Sequence, residues 1–153
     1  MSWTIRLDDL RGPEIASLLQ EHLADMHATS PRESVHALDL DQLRQPSIRF
    51  YTLWDGETLG GCGALKTHDA AHAEIKSMRV ARTHRRQGVG ERVLMHLLEV
   101  AQAAGVTRVS LETGAQDFFI PARRLYAKHG FAECRPFADY RPDPNSVFMT
   151  RTL

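Results

Sequence analysis

The residues best suited to chemistry surround a short glycine-containing loop in the middle of the chain. Gly88 and Gly90 open a long amphipathic segment. A helix that begins there presents unpaired N–H groups and the positive end of its dipole, which together favour an anion. Glycine also lets the backbone approach that anion closely. Four basic side chains would add positive charge around it: Arg82, His84, Arg85 and Arg86. The pattern predicts a phosphate-binding loop.

The strand that precedes this loop contains a change in its apolar pattern. Ile75 is followed by Met78 and Val80, so the apolar positions switch from odd to even numbers. A strand alternates with a period of two, and the switch therefore predicts one extra residue, a β-bulge near Lys76 or Ser77. Such a bulge would separate this strand from its neighbour and leave backbone N–H and C=O groups free for a ligand. A merely irregular strand edge is the alternative.

The rest of the sequence predicts the elements that hold this strand and loop in place. Alternation, turn signals and helical periodicity indicate about seven strands and about four helices. The predicted strands are Trp3–Leu7, Ile48–Trp54, Thr58–Lys66, Glu74–Val80, Arg108–Glu112, Phe131–Cys134 and Val147–Thr152. The predicted helices are Pro13–His27, Asp39–Arg44, Gly88–Ala104 and Pro121–His129. The predicted buried stripe of the first helix is Ile15, Leu18, Leu19, Leu23 and Met26.

The order of these elements indicates the fold class. Ile48–Trp54, Thr58–Lys66 and Glu74–Val80 should form an antiparallel meander. The long helix then crosses over to Arg108–Glu112, which should lie parallel to Glu74–Val80. The predicted fold is therefore α/β (α+β), with a mixed, mainly antiparallel central sheet flanked by helices. No repeat or linker divides the chain, so residues 1–153 are expected to form a single domain.

The overall composition limits the classes of function. The 153 residues include 19 Lys+Arg and 19 Asp+Glu, so the formal net charge is zero, which argues against a general nucleic-acid binder. No signal segment or long apolar run is recognised, so neither secretion nor a membrane span is expected. Cys62 and Cys134 are expected to be reduced, buried thiols of a cytoplasmic protein. The spacing of the histidines predicts no metal site.

Two segments resemble the GCN5-related N-acetyltransferases. Arg85-Arg-Gln-Gly88-Val-Gly90 is similar to the family's (Gln/Arg)-x-x-Gly-x-(Gly/Ala) pyrophosphate loop. Ala122-Arg-Arg-Leu125-Tyr126, followed by Gly130-Phe131, resembles its second cofactor segment. The resemblance extends over about Trp3 to Leu153. It implies the family's acyl-CoA N-acyltransferase fold, and transfer of an acetyl group from acetyl-CoA to an amine by direct attack on the thioester.

The resemblance also assigns residues to the cofactor. The pyrophosphate would accept N–H bonds from around Gln87 to Arg92, and the pantetheine arm would pair along Met78 to Val80 like an added strand. The implied cofactor-binding residues are Met78, Arg79, Val80, Arg85, Arg86, Gln87, Gly88, Val89, Gly90, Glu91 and Tyr126. One position departs from the family. Phe119 stands where many members have asparagine, which leaves no polar side chain for a cofactor contact there.

Proton transfer is assigned by the same resemblance. Tyr126 falls in the position of the family's acid and would protonate the departing CoA thiolate. Glu74 falls where members often place a general base, and Glu112, at the end of the next strand, is the rival base. The structural alternatives are a partly buried aromatic for Tyr126 and a solvated carboxylate for Glu74. Many relatives have no dedicated base at all.

The acceptor site is expected around the segment that follows the first helix. Arg32, Ser34 and His36 would contact the acceptor there, together with Glu112. The long loop Pro136–Asn145, the late loop, offers weaker candidates: Tyr140, Asp143 and Asn145. The implied acceptor is the amine of a small molecule, with a peptide amine as the alternative. A homodimer formed through the last strand is also left open.

Two other functions remain open at this point. Gly88 and Gly90 before a helix, with Glu112 about 20 residues further on, are also compatible with a dinucleotide-binding oxidoreductase. Val93 at the third glycine position and the antiparallel meander argue against that interpretation. The second alternative is a CoA-binding sensor without catalytic activity, in which Tyr126 would only contribute to packing.

Overall fold

The computed structural model describes residues 2–35 and 38–153. Within these ranges seven strands form one sheet, and four α-helices pack against it. The strands are β1 Trp3–Leu7, β2 Ile48–Asp55, β3 Thr58–Thr67, β4 His72–Val80, β5 Arg108–Gly114, β6 Ala132–Cys134 and β7 Ser146–Thr152. The helices are α1 Pro13–Thr29, α2 Leu40–Leu43, α3 Val89–Ala103 and α4 Ile120–Lys128.

The strand order in the sheet is β1-β2-β3-β4-β5-β7-β6. β4 and β5 are parallel, and the other neighbouring strands are antiparallel. The parallel pair requires a crossover, which α3 supplies. The predicted mixed, mainly antiparallel sheet with four helices is confirmed. The pattern did not predict three short 3-10 turns: Arg32–Ser34, Arg82–His84 and Asp117–Phe119.

Each face of the sheet is covered by its own apolar cluster. On one face Val93, Leu94 and Leu97 of α3 pack against β-strand residues such as Val109 and Leu111. On the other face the buried residues of α1 and α2 pack against β2 and β3: Ile15, Leu18, Leu19 and Leu43 with Ile48, Phe50 and Trp54. Amphipathic helices therefore bury both faces, and the functional residues must lie at gaps between elements.

Close packing of α3 explains one of the glycines in β3. A Cβ added to Gly63 would lie 2.7 Å from Met78 Sδ and 2.8 Å from Val93 Cγ1. These distances are shorter than real Cβ contacts, so the helix and β4 approach a strand that has no side chain at this position. Of the two cysteines, both of which are free thiols, Cys62 is buried on this strand and Cys134 is only half-buried.

The predicted bulge is present in β4. Ala64 lies opposite Lys76, but Cys62 lies opposite Arg79, so the register shifts by one residue between these pairs. Residues 77 and 78 of β4 therefore correspond to the single residue 63 of β3. Ser77 has a φ of 54°, in the left-handed region. The switch of the apolar positions from odd to even numbers therefore predicted the bulge correctly.

The bulge coincides with a split in the sheet. β4 pairs with β5 only from His72, opposite Arg108, to Ile75, opposite Leu111. β5 nevertheless stays paired with β7 as far as Gly114. The second half of β4 thus diverges from β5, and the backbone of β4 loses its neighbour on that side.

Candidate functional site

A cleft opens where β4 and β5 diverge. Its walls come from both strands, from α1, from the start of α4 and from the segment between β6 and β7. Glu74, Glu112 and Tyr126 all line it, together with Ser34. The fold thus brings the predicted catalytic residues and two of the predicted acceptor residues, Ser34 and Glu112, to one place.

The loop before α3 is shaped to bind an anion. Gly88 is the N-cap of α3 with a φ of 87°, and Arg86 has a φ of 63°. The unpaired N–H groups at this helix N-terminus, together with the positive end of the helix dipole, favour an anion. Val89 is buried and anchors the loop, whereas residues 85–88 are exposed. A Cβ added to Gly88 would meet no atom within 4 Å, so there is room for a ligand above it.

Two of the four predicted basic side chains do not serve this loop. Arg82 pairs with Glu21 and Asp25 of α1, at 3.2 Å in each case. His84 is buried, and its Nε2 lies 3.1 Å from a carboxylate oxygen of Asp55. Both were expected to add charge near a phosphate, and both instead fix the loop to the protein. The pattern of basic residues could not predict acidic partners that are distant in sequence.

Arg85 and Arg86 supply the remaining charge. Both are exposed, and neither forms an ion pair within the part of the chain that the structure describes. Glu91, which was predicted to bind cofactor, has its side chain 2.9 Å from Lys128 Nζ. Gln87 donates its side-chain amide to the carbonyl of Thr83 (3.3 Å). Gln87 and Glu91 can therefore contribute backbone N–H groups rather than side chains.

The free edge of β4 offers backbone groups to an extended ligand. Ala81 N donates to the carbonyl of Gly60 in β3 (2.8 Å). Alternate residues of a strand bond to opposite sides, so Val80 and Met78 direct their backbone groups toward the cleft. The side chain of Arg79 points to α1 instead, where it donates to Glu21 (2.6 Å) and to Asp25. A contact from Arg79 to a cofactor can come only from its backbone.

Glu74 is buried and fully engaged. Its Oε1 lies 2.8 Å from His68 Nε2, and its Oε2 accepts hydrogen bonds from Lys76 Nζ (3.1 Å) and Tyr140 Oη (2.6 Å). Lys76 also donates to Tyr140 Oη (2.8 Å). Burial and the charge of Glu74 raise the pKa of Tyr140, so this phenol remains a donor. Glu74 therefore holds the late loop onto β4. Its role as the base stays a prediction.

Glu112 differs from Glu74 because no cation pairs with it among the described residues. Burial raises the pKa of Glu112 to about 7. The negative charges of Glu74 and Asp143 act in the same direction, and the charge of Lys76 opposes them. A carboxylate with this pKa, at the wall of a cleft, can accept a proton near neutral pH. The contacts therefore favour Glu112 over Glu74 as the base.

Tyr126 lies on the other side of the same gap. It is buried on α4, with its ring packed edge-on against Phe131 at 5.9 Å between centroids. Burial raises the pKa of Tyr126, and the charge of Glu112 adds to the effect, so the hydroxyl stays protonated at neutral pH. The hydroxyl makes no hydrogen bond to any described residue. Tyr126 can therefore donate its proton to a ligand.

The start of α4 is fixed to the end of β5. Arg123 Nη1 donates to the carbonyls of Gly114 (2.6 Å) and Gln116 (3.1 Å). Phe119 is buried and lines the cleft, and its ring covers Gly114, where an added Cβ would lie only 2.1 Å from Cδ2. The aromatic residue that departs from the family pattern thus forms an apolar wall. It gives no polar contact, as the sequence predicted.

The segment after α1 closes one side of the cleft. Ser34 is buried and donates to Asp143 Oδ2 (2.6 Å), and Asn145 Nδ2 donates to Ser34 Oγ (3.4 Å). These two hydrogen bonds join the segment after α1 to the late loop. Arg32, however, is exposed and does not line the cleft. His36, the third predicted acceptor residue, lies outside the described residues.

His22 and Ser77 are polar residues of the cleft wall that were not among the predicted site residues. His22 takes a place in the buried stripe of α1, whereas Leu23 and Met26 are only half-buried. The available signal was a histidine at helical spacing from Ile15 and Leu18. Ser77 is the bulge residue itself.

No group of three or more His, Cys, Asp or Glu side chains within residues 2–35 and 38–153 is arranged to hold a metal ion. No helix in those ranges has the length and apolar character needed to cross a bilayer.

Comparisons with known proteins agree with this geometry. The model of the family described as "Acetyltransferase (GNAT) family" matches residues 15–131. The uncharacterized N-acetyltransferase YsnE of Bacillus subtilis (strain 168) is 54% identical over 149 residues, which cover 97% of this chain and 99% of YsnE. An IAA acetyltransferase of Azospirillum brasilense is 40% identical over 136 residues, covering 88% of this chain and 86% of that protein.

Solved structures have the same fold. A Klebsiella pneumoniae structure described as an acyl-CoA N-acyltransferase has a TM-score of 0.83 and 28% identity, and the match covers 99% of this chain and 97% of that one. A GNAT family acetyltransferase from Elizabethkingia anophelis, solved with acetyl-CoA bound, has a TM-score of 0.72 at 21% identity over 99% and 98% of the two chains.

Proposed function

Because this chain belongs to the acetyltransferase (GNAT) family, we propose that it moves the acetyl group of acetyl-CoA to the primary amine of a small molecule, with Glu112 as base and Tyr126 as acid. The oxidoreductase alternative is wrong, since the relatives are N-acetyltransferases and the sheet begins with an antiparallel meander. The observation that supports the proposal best is the split between β4 and β5, which places Glu112 and Tyr126 on one cleft.

The residues of this chain fit acetyl-CoA. Its pyrophosphate would lie on the N–H groups around Gly88, with Arg85 and Arg86 beside it. Its pantetheine arm would pair with the free backbone groups of Met78 and Val80. When bound, acetyl-CoA supplies the acetyl group as a thioester. A backbone N–H of the bulge would then polarise the thioester carbonyl.

Glu112 and Tyr126 would divide the proton transfers between them. An amine reaches neutral water mostly as an ammonium ion, which cannot attack a carbonyl carbon. Glu112 would take the proton from the ammonium nitrogen, since its pKa of about 7 suits this exchange at neutral pH. Tyr126 would donate its hydroxyl proton to the sulfur that leaves. Tyr126 is buried and Glu112 is half-buried, and both line the cleft, where little water competes with these transfers.

The closed side of the cleft favours a small acceptor over a folded protein. Ser34 bonds to Asp143, and Ser30 donates to Gln116 Oε1 (3.4 Å), so the segment after α1 is joined to two later loops. Tyr140 is also bonded to Glu74 beneath the late loop. Because these contacts close one side of the cleft, they favour a small acceptor. A peptide amine is therefore the second candidate.

The test combines binding with turnover. Titration calorimetry should detect acetyl-CoA and CoA binding but no NAD binding. Release of the CoA thiol should then accelerate with small primary amines and much less with a peptide that carries free α-amino and lysine amines. Tight CoA binding without turnover of any amine would favour the sensor alternative. Faster turnover of the peptide than of the small amines would mean that the acceptor is a peptide amine.

Replacement of Tyr126 by phenylalanine is expected to lower kcat by about 10²-fold, the low end of what a positioned acid contributes. The affinity for acetyl-CoA should change little, since the ring and its contact with Phe131 are kept. Steady-state kinetics and calorimetry measure the two effects. Tyr51→Phe is the matched control, because Tyr51 lies on β2 against His96 and does not line the cleft. Equal kcat values for both variants would mean that Tyr126 is not the acid.

A further inference from the structure

Two polar groups in the cleft wall have no partner. His22 is only 8% exposed, and no described residue bonds its Nδ1. Ser77 likewise has a buried hydroxyl without a hydrogen-bond partner among the described residues. Both residues line the cleft that contains Glu112 and Tyr126. Buried polar groups are normally paired, so two unpaired groups on one cleft require an explanation.

The surroundings of His22 keep its imidazole neutral. Burial lowers the pKa of His22 to about 4, and the charge of Arg79 acts in the same direction. Asp25 opposes the effect, but its carboxylate is engaged by Arg79 and Arg82. A neutral imidazole offers one N–H and one nitrogen lone pair. It suits an uncharged partner that can donate or accept a hydrogen bond.

Ser77 is held in place by an unusual backbone. Its φ of 54° lies in the left-handed region, which residues other than glycine rarely adopt. Its carbonyl accepts a weak hydrogen bond from Cys62 Sγ (3.3 Å), while its hydroxyl is left unpaired. The bulge thus fixes a buried hydroxyl beside the cleft, and such strain is often found at functional sites.

The charged groups of the cleft already have other roles. Lys76 is neutralised by Glu74, so it offers little to a carboxylate on the acceptor. Glu112 and Asp143 would repel such a carboxylate. The ammonium group of the acceptor would lie beside Glu112, a carboxylate that forms no ion pair with any described residue. An uncharged group of the acceptor would therefore suit His22 and Ser77 better than a charged one.

We propose that His22 and Ser77 form a subsite for a hydroxyl group next to the reacting amine, so that the acceptor is an amino alcohol. This inference rests on the proposed function, because it concerns the acceptor of the same reaction. A hydroxyl both donates and accepts, as do the two side chains. An acceptor without that hydroxyl would leave both buried groups unpaired in the closed complex, and such sites discriminate strongly.

The test compares amines in which a hydroxyl replaces a methyl group of similar size. The pairs are 2-aminoethanol with propylamine, and 1-amino-2-propanol with isobutylamine. The wild-type enzyme should prefer the amino alcohol by at least about 10²-fold in kcat/KM. An ordered water that pairs with both side chains would instead give a ratio near one.

Variants assign that preference to the two residues. His22→Leu and Ser77→Ala should each lower the ratio by at least about tenfold, mostly by slowing the amino alcohol. His22→Asn should keep most of the preference, because an amide atom then occupies the position of Nδ1. His27→Leu is the matched control, since His27 is exposed on the same helix, and its ratio should equal that of the wild type. Thermal melts identify any variant that does not fold.

The outcomes separate the subsite from the proposed function. Acetylation of both members of each pair with similar kcat/KM would overturn the subsite and leave the amine acetyltransferase intact. A preference that survives in both His22→Leu and Ser77→Ala would also overturn it. No acetylation of any of the four amines would overturn the proposed small-amine acceptor, and the subsite with it.

Discussion

Replacement of Glu112 by glutamine is expected to lower kcat/KM for the amine by about 10²- to 10⁴-fold, the usual contribution of a positioned base. The substitution keeps the size of the side chain and removes its ability to take a proton. Affinity for acetyl-CoA should stay near the wild-type value. Glu99→Gln is the matched control, because Glu99 is exposed on α3 and should tolerate the change.

The pH dependence identifies the group more directly than the rate does. The base must be ionised, so wild-type kcat/KM should rise with pH and level off above the pKa of Glu112, which is about 7. The Glu112→Gln variant should lack this rise. If Glu74→Gln removes the rise and Glu112→Gln retains it, the base is Glu74 and not Glu112.

The same substitution should also change stability. In the unfolded chain Glu112 ionises near its ordinary pKa of 4.5, whereas in the folded protein it stays protonated up to about 7. The folded protein therefore binds more protons between these values, and its stability falls as the pH rises through that window. The difference corresponds to about 3 kcal/mol. Glu112→Gln removes this loss, so thermal melts at pH 8 should show a Tm above that of the wild type.

Local patterns predicted the framework of the site well. The switch from the odd-numbered Ile75 to the even-numbered Met78 located the bulge. Side chains alternate between the two faces of a strand, so these two residues can share a face only if one extra residue lies between them. The glycines at positions 88 and 90 located the start of α3 within one residue. Both signals depend on backbone geometry over a few residues, which sequence determines directly.

The partners of charged residues were not predictable in this way. Glu74 bonds to Tyr140, which lies 66 positions later, and Arg79 bonds to Glu21, which lies 58 positions earlier. A sequence with equal numbers of acids and bases allows many such pairs, and only the folded chain selects among them. The choice between Glu74 and Glu112 depended on these contacts, because pairing leaves one carboxylate satisfied and the other free to exchange a proton.

The second large effect is expected at Gly88. Gly88→Val should reduce the affinity for acetyl-CoA and CoA by at least about 10²-fold, because the side chain would occupy the space above the loop where the N–H groups meet a phosphate. Calorimetry measures this loss. The positive φ of 87° also strains a branched residue, by about 1–3 kcal/mol, so stability should fall as well.

Gly105 provides the control that separates strain from cofactor binding. It lies beyond the other end of α3 with a φ of 82°, and an added Cβ would also meet no atom within 4 Å. Gly105→Val should therefore lower the Tm about as much as Gly88→Val does, while leaving CoA affinity unchanged. Equal losses of affinity in the two variants would mean that strain in α3 acts at a distance. Unchanged affinity in Gly88→Val would mean that the phosphate does not bind at this helix N-terminus.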